Sequence, residues 1–180
     1  MNEAAGAVFA FFGVPGAGKS TLCVRFGELC GIPALDTDAF MTTEEVEAVL
    51  AGRYTQSMRL TNISRYAGEA RRLLAAGARA VAIADGLPDD EARRALADAL
   101  APAQVVFVLV ETPPASWRRR FGARDANTIP IGLAAAEAYI RDHWQQPGPD
   151  AFDERVENDD DADAIDARLQ SIFERRHGLT

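Results

Sequence analysis

The chain predicts an α/β fold, a parallel sheet with helices on its faces. Two observations carry this. Short apolar runs of strand length alternate with longer stretches of helical periodicity. The run Gln104 to Val110 is nearly all apolar, as a strand covered on both faces must be. With 180 residues the chain fits one domain spanning 1–180, and it can bury a full core without disulfides.

Each element has its own signal. The first strand is Val8 to Phe12. A helix follows from Lys19 to Cys30, with Leu22, Phe26 and Leu29 on its stripe and Gly31 as its stop. The second strand is Ile32 to Leu35, ending at Asp36. Thr42 and Glu45 form a capping box opening a short helix to Gly52. A longer helix runs from Ser57 to Ala76, with Leu60, Ile63, Ala67, Ala70 and Leu74 inward and Gly77 after it. The third strand, Ala80 to Ala84, ends at Asp85-Gly86, and Pro88 begins a helix to Leu100. After the fourth strand, Thr112 and Pro113 read as N-cap and first residue of another helix. Periodicity fails between Gly122 and Pro130 and resumes from Leu133 to Trp144. Arg155 to Glu157 is the fifth strand. Ile165, Leu169, Ile172 and Phe173 mark the last helix.

Composition excludes several classes. The apolar fraction of 48% and charged fraction of 26% are those of an ordinary globular protein. There is no apolar run long enough to span a membrane, and the apolar start lacks the basic flank of a leader. A cytoplasmic protein is expected. The net charge of −8 argues against a nucleic-acid surface. Cys23 and Cys30 are seven residues apart on one helix, too far for a bridge. Trp117 could stack on a base or belong to the core.

Gly13-Val14-Pro15-Gly16-Ala17-Gly18-Lys19-Ser20 fits G-x-x-x-x-G-K-[ST], with Thr21 following. Glycines let the backbone curl so that N–H groups point at phosphate oxygens, and the next helix adds its N-terminal dipole. Lys19, the only lysine among 19 basic residues, supplies charge at the β/γ bridge, and the Ser20 hydroxyl is a magnesium ligand. The pattern sits between an apolar strand and an amphipathic helix, its required context. It implies a nucleoside-triphosphate site built from Gly13, Pro15, Gly16, Ala17, Gly18, Lys19, Ser20 and Thr21, with ATP and Mg2+ expected.

Other candidates lie at the ends of strands. Asp85 is placed as a second magnesium ligand. Asp36 and Asp38 follow the second strand at the carboxyl edge, where α/β ligands bind, and a carboxylate there can take a proton from a hydroxyl. Arg59, Asn62 and Arg65 recur at spacing three and could grip an anion. Trp117, Arg118, Arg119, Arg120 and Arg124 enter the aperiodic stretch. Arg120 or Arg124 is expected to close over the γ-phosphate as part of a lid at about 118–145.

With these pieces in order, the chain resembles the small P-loop kinases, most closely the adenylyl-sulfate (APS) kinase group. The resemblance covers roughly residues 7 to 120. It rests on Gly13 to Ser20, Leu35-Asp36-Thr37-Asp38, Arg59-x-x-Asn62-Ile63-x-Arg65, Leu74-Ala75-Ala76-Gly77 and the strand into Asp85. It implies the strand order 2-3-1-4-5, Asp38 near the acceptor hydroxyl, and Arg59 and Asn62 on the acceptor. The chain departs from the group in four places. Thr37 stands where the group has glycine, Met41 where it has arginine, only Arg124-Asp125 matches its lid, and Trp144-Gln145-Gln146-Pro147 stands where it has Tyr-Glu-x-Pro.

The expected activity is transfer of the ATP γ-phosphoryl group to a hydroxyl of a small anionic metabolite. A sugar acid, an antibiotic or a modified nucleotide is the alternative acceptor. A regulatory nucleotide-binding module with slow ATPase is the alternative of another class. A monomer or homodimer is expected, with no nucleic acid or membrane as partner.

Overall fold

The computed structural model describes residues 6–121, 131–158 and 161–177, with the side chains of Arg120 and His177 outside that description. In chain order its elements are β1 (Ala7–Phe12), α1 (Lys19–Cys30), β2 (Ala34–Asp36), a 3-10 turn (Thr37–Phe40), α2 (Thr43–Leu50), α3 (Gln56–Ala75), β3 (Ala80–Asp85), α4 (Asp90–Leu100), β4 (Gln104–Glu111), α5 (Pro114–Phe121), α6 (Leu133–His143), a second 3-10 turn (Pro149–Ala151), β5 (Glu154–Glu157) and α7 (Ala162–His177).

All six residues of β1 are apolar and buried. Such a strand needs a neighbour on each side and cover on each face. β3 and β4 flank it in parallel. β2 then pairs with β3, and β5 with β4, also in parallel. The order β2-β3-β1-β4-β5 is the one the resemblance implies. Alternate side chains of β1 enter two cores. Phe9 and Phe11 meet Phe26 of α1 and Leu169 and Ile172 of α7. Val8, Ala10 and Phe12 meet Ile63 and Tyr66 of α3 and Leu96 and Leu100 of α4. The ring centroids of Phe9, Phe26 and Phe173 lie 4.8 to 5.8 Å apart, an aromatic wedge holding α1 and α7 on one face.

Boundaries shift where hydrogen bonds are already committed. The Ile32 N–H donates to Gly27 O at 3.0 Å and so closes α1, and Pro33 has no N–H, so the second strand begins at Ala34 and runs through Asp36. The fourth helix opens after Pro88, because the Asp89 carboxylate caps it by accepting from Ala92 N at 2.8 Å. The helix after β4 starts at Pro114, one residue later than expected. Its expected cap, Thr112, turns its hydroxyl to Ala17 O at 2.9 Å instead. The Thr42–Glu45 capping box is present in both directions. Both cysteines are free and buried, and burial pushes the Cys30 thiol up to about 11.

Phe26 sits at the centre of the aromatic wedge and is fully buried. Phe26→Ala should lower unfolding stability by about 3–5 kcal/mol, read as a lower denaturant midpoint at unchanged slope.

Candidate active site

The site begins where β1 gives way to α1. Gly16 (φ 82°) and Gly18 (φ 91°) adopt the left-handed region open to glycine. Side chains there would also collide with neighbours. A Cβ on Gly16 meets Phe121 and Trp117, one on Gly18 meets Asn158, and one on Gly13 meets the Val110 carbonyl. The loop carbonyls are held from outside. Val14 O accepts from Lys19 Nζ at 3.0 Å, Pro15 O from Trp117 Nε1 at 2.7 Å, and Ala17 O from Thr112 Oγ1 and Asn158 Nδ2, each at 2.9 Å. No side chain caps α1 at Gly18 among the described residues. The first-turn amides of a helix have no acceptor within it, so a cradle of donors remains beside the Lys19 ammonium. The donor set and the glycine cradle fit a polyphosphate. Trp117 is 8% exposed and spent on this loop, which places it in the core rather than against a base.

A cavity of about 370 Å³ adjoins the loop. Pro15, Lys19 and Ser20 form one end. Asp36, Thr37, Asp38, Arg59, Asn62 and Asp85 also line it. Gly13, Gly16, Ala17, Gly18 and Thr21 do not line it, and Thr21 is exposed on α1. Strand register explains the convergence. Asp85 pairs with Phe12, the residue before the loop, and Asp36 pairs with Ala84.

The two aspartates after β2 do different work. Asp36 caps the 3-10 turn, its carboxylate accepting from Asp38 N at 3.2 Å, while Asp38 is exposed on the cavity wall. Between them Thr37 is buried, its hydroxyl donating to Ala84 O at 2.8 Å. The threonine that departs from the resembling group is thus a clamp between the ends of β2 and β3.

The face of α3 splits in two. Arg59 and Asn62 line the cavity, and buried Asn62 donates to Thr37 O at 3.4 Å. Arg65 is six residues after Arg59, which turns it about 120° away on a helix. Its guanidinium donates to Glu45 (2.5 and 2.8 Å), Phe40 O (2.6 Å) and Asn62 Oδ1 (3.1 Å) and does not line the cavity. That ion pair braces α2 and the 3-10 turn against α3, and the hydrogen bond from Arg65 holds the Glu45 carboxyl below its ordinary value.

Three tyrosines belong to the site without a sequence motif to announce them. Tyr66 is fully buried and donates its hydroxyl to one oxygen of Asp85, whose other oxygen accepts from Gly86 N at 2.6 Å. Burial, then the adjacent Asp85 charge, raises the Tyr66 phenol well above its usual value, so it stays a donor. The ring of Tyr54 lies 5.4 Å from the Arg59 guanidinium carbon, and the Tyr139 hydroxyl accepts from Arg59 Nη1 at 3.2 Å. Spacing four from Asn62 could have marked Tyr66. Nothing local marks Tyr139, which comes from the distant α6.

Arg124 lies outside the described residues, as does the Arg120 side chain, although α5 itself is formed. Arg118 is exposed, 3.9 Å from Glu137. Among the described residues no group of three or more His, Cys, Asp or Glu is arranged to hold a metal. A Mg2+ ion commonly needs only one or two protein oxygens with substrate phosphates completing its shell, and Ser20 and Asp85 fit that demand. No helix among the described residues is long and apolar enough to cross a membrane.

The sequence matches the model of the family described as AAA domain over residues 8–145. The chain belongs to this family. No curated protein matches it by sequence. Among solved structures it resembles an unliganded sugar kinase from a Janibacter species, with TM-score 0.74, 17% identity and 98% of each chain covered. A gluconokinase from Sinorhizobium meliloti gives TM-score 0.71 at 19% identity, again over 98% of each chain. An APS kinase from Mycobacterium tuberculosis, solved with AMPPNP and APS, gives 0.62 at 22% identity, over 94% of this chain and 96% of that one. The scaffold is that of the small-molecule P-loop kinases.

The Glu45–Arg65 pair has a definite pH signature. Because the folded Glu45 carboxyl titrates below its unfolded value, the pair stabilises above the ordinary glutamate range and loses its effect as pH falls through it. With Arg65 33% exposed at its side chain, Glu45→Gln should cost about 1–2 kcal/mol at neutral pH. The gap between the two proteins should narrow in denaturant titrations as pH falls below the ordinary glutamate range.

Proposed function

We propose that the protein is an ATP-dependent kinase that moves the γ-phosphoryl group to a hydroxyl of a small anionic metabolite. One observation carries the reading. Lys19 and Ser20, at the donor end, share a single cavity with Asp38, Arg59 and Asn62, at the acceptor end. A nucleotide switch needs the first set alone; a phosphotransferase needs both, held in one frame.

In this reading the loop amides from Gly13 to Ser20 and the Lys19 ammonium bind the triphosphate. Ser20 and Asp85 would hold Mg2+, which neutralises phosphate charge when bound. Tyr66 and Gly86 N fix the rotamer of Asp85. Asp38 accepts the proton of the acceptor hydroxyl as its oxygen bonds to the γ-phosphorus and the bond to the β–γ bridging oxygen breaks. Lys19 takes up the charge developing on that bridging oxygen, and ADP leaves with the phosphorylated alcohol as the other product. Arg59 holds the acceptor's anionic group. Arg120 or Arg124 is assigned the remaining charge over the γ-phosphate.

The solved relatives support the reading at the level of scaffold, spanning a sugar kinase, a gluconokinase and an APS kinase. Adenylyl sulfate and sugar acids are therefore the first acceptors to assay, with ADP release in Mg-ATP as the readout. Acceptor-stimulated release supports the kinase; slow release indifferent to every metabolite supports a regulatory module.

Lys19→Ala should abolish acceptor-stimulated ADP release while far-UV circular dichroism stays unchanged. Undiminished turnover would overturn the loop assignment. Asp38→Asn should lower kcat by about 10²–10⁴-fold with ATP affinity within a few-fold. If both parameters hold, another group takes the proton.

A further inference from the structure

The arginines that are buried or half-buried in this protein face carboxylates, with one exception among the described residues. Arg65 pairs with Glu45, Arg93 with Asp90, and Arg176 with Glu154. Arg59 is held by neutral groups only: the Gln56 side-chain oxygen accepts from Nε at 3.2 Å, the Tyr139 hydroxyl from Nη1 at 3.2 Å, and the Tyr54 ring stacks against it. Neutral partners orient a guanidinium without cancelling its charge. Burial works against that charge, but the hydrogen bond to Tyr139 and the nearby Asp85 carboxylate favour it, so Arg59 stays cationic. Of its five N–H donors these bonds use two. The Gln56 Nε2, beside it, is buried with no partner among the described residues. A half-buried cation with spare donors in a cavity wall is arranged for an anion from outside the chain.

The rest of the cavity limits that anion. Asp36, Asp38, Asp85 and Asp142 line the same space, and each repels a second negative charge. The lining also includes hydrocarbon side chains: Met41, Val49 and Leu50 from the α2 side, Ala135 and Ala138 from α6. A polyol pressed against this wall would leave hydroxyls without partners, whereas a hydrocarbon skeleton loses nothing there.

We infer that the acceptor is a small hydroxy-monocarboxylate with a largely hydrocarbon skeleton, its carboxylate on Arg59 and its apolar face against Leu50 and its neighbours. The inference rests on the kinase reading and narrows it. It disfavours adenylyl sulfate, which brings two negative charges, and a straight-chain sugar acid, which has no apolar face.

The test is a binding experiment on the full chain with Mg2+ and the non-hydrolysable analogue AMPPNP. Cyclohexanecarboxylate, cyclohexanol and gluconate are titrated in turn and followed by ligand-observed NMR. Cyclohexanecarboxylate should bind at least about 10-fold more tightly than either of the others. Arg59→Gln should erase its advantage over cyclohexanol but keep its advantage over gluconate, and Leu50→Asn should do the reverse. Gluconate binding as tightly as cyclohexanecarboxylate, or no binding of cyclohexanecarboxylate at tens of millimolar, overturns the inference. AMPPNP affinity, measured alongside, separates the two readings: loss of analogue binding overturns the kinase, whereas normal analogue binding with the wrong fragment order overturns only the acceptor class.

Discussion

The turn between β1 and α1 has room for backbone and nothing more. Its glycines meet Val110 of β4, Trp117 and Phe121 of α5, and Asn158 after β5. Its carbonyls are taken by Lys19, Trp117, Thr112 and Asn158. Much of the molecule is placed by that crowding. β4 must run beside β1 to bring Val110 and Thr112 to the loop, and β5 must pair with β4 to deliver Asn158. α5 has to turn back after Pro113 so that Trp117 reaches Pro15. A loop fixed on its carbonyl side presents its amides in a set geometry, and such preorganised donors are what make a phosphate site effective.

The rest of the cavity is built on the opposite principle. Side chains rather than backbone make it, and they come from four separate places: Asp38 from the 3-10 turn, Arg59 and Asn62 from α3, Leu50 from α2, and Tyr139 from α6. Thr37, on the cavity wall, and Arg65, outside it, hold these pieces together through the Ala84 carbonyl and the Glu45 carboxylate. Buried polar clamps of this kind fix one arrangement because every alternative leaves a donor or acceptor unmet. The loop is thus fixed by backbone geometry, whereas the rest of the cavity is fixed by side chains. That asymmetry is consistent with solved relatives whose named substrates differ while their folds agree.

The sequence by itself determined the strand–loop–helix core. The spacing of glycine, lysine and serine is set by backbone geometry that only those residues satisfy, and the alternation of apolar runs with helical stripes reflects burial on fixed periods. The capping box at Thr42 was equally readable, because its partners are three residues apart. Local signals misled where a side chain found a distant partner. Thr112 looked like a helix cap and instead serves Ala17, 95 residues away. Arg65 looked like a ligand residue and is committed to Glu45 on another helix. Sequence alone does not divide Trp117 between core and base, and the carbonyl of Pro15 decides it. What only the tertiary structure decided was the acceptor wall. Tyr139 meets Arg59 across 80 residues of chain, and no periodicity records a contact formed by folding two helices onto one cavity. Backbone geometry is written in local residue types. The charge and polarity of a pocket are sums over residues that only folding brings together.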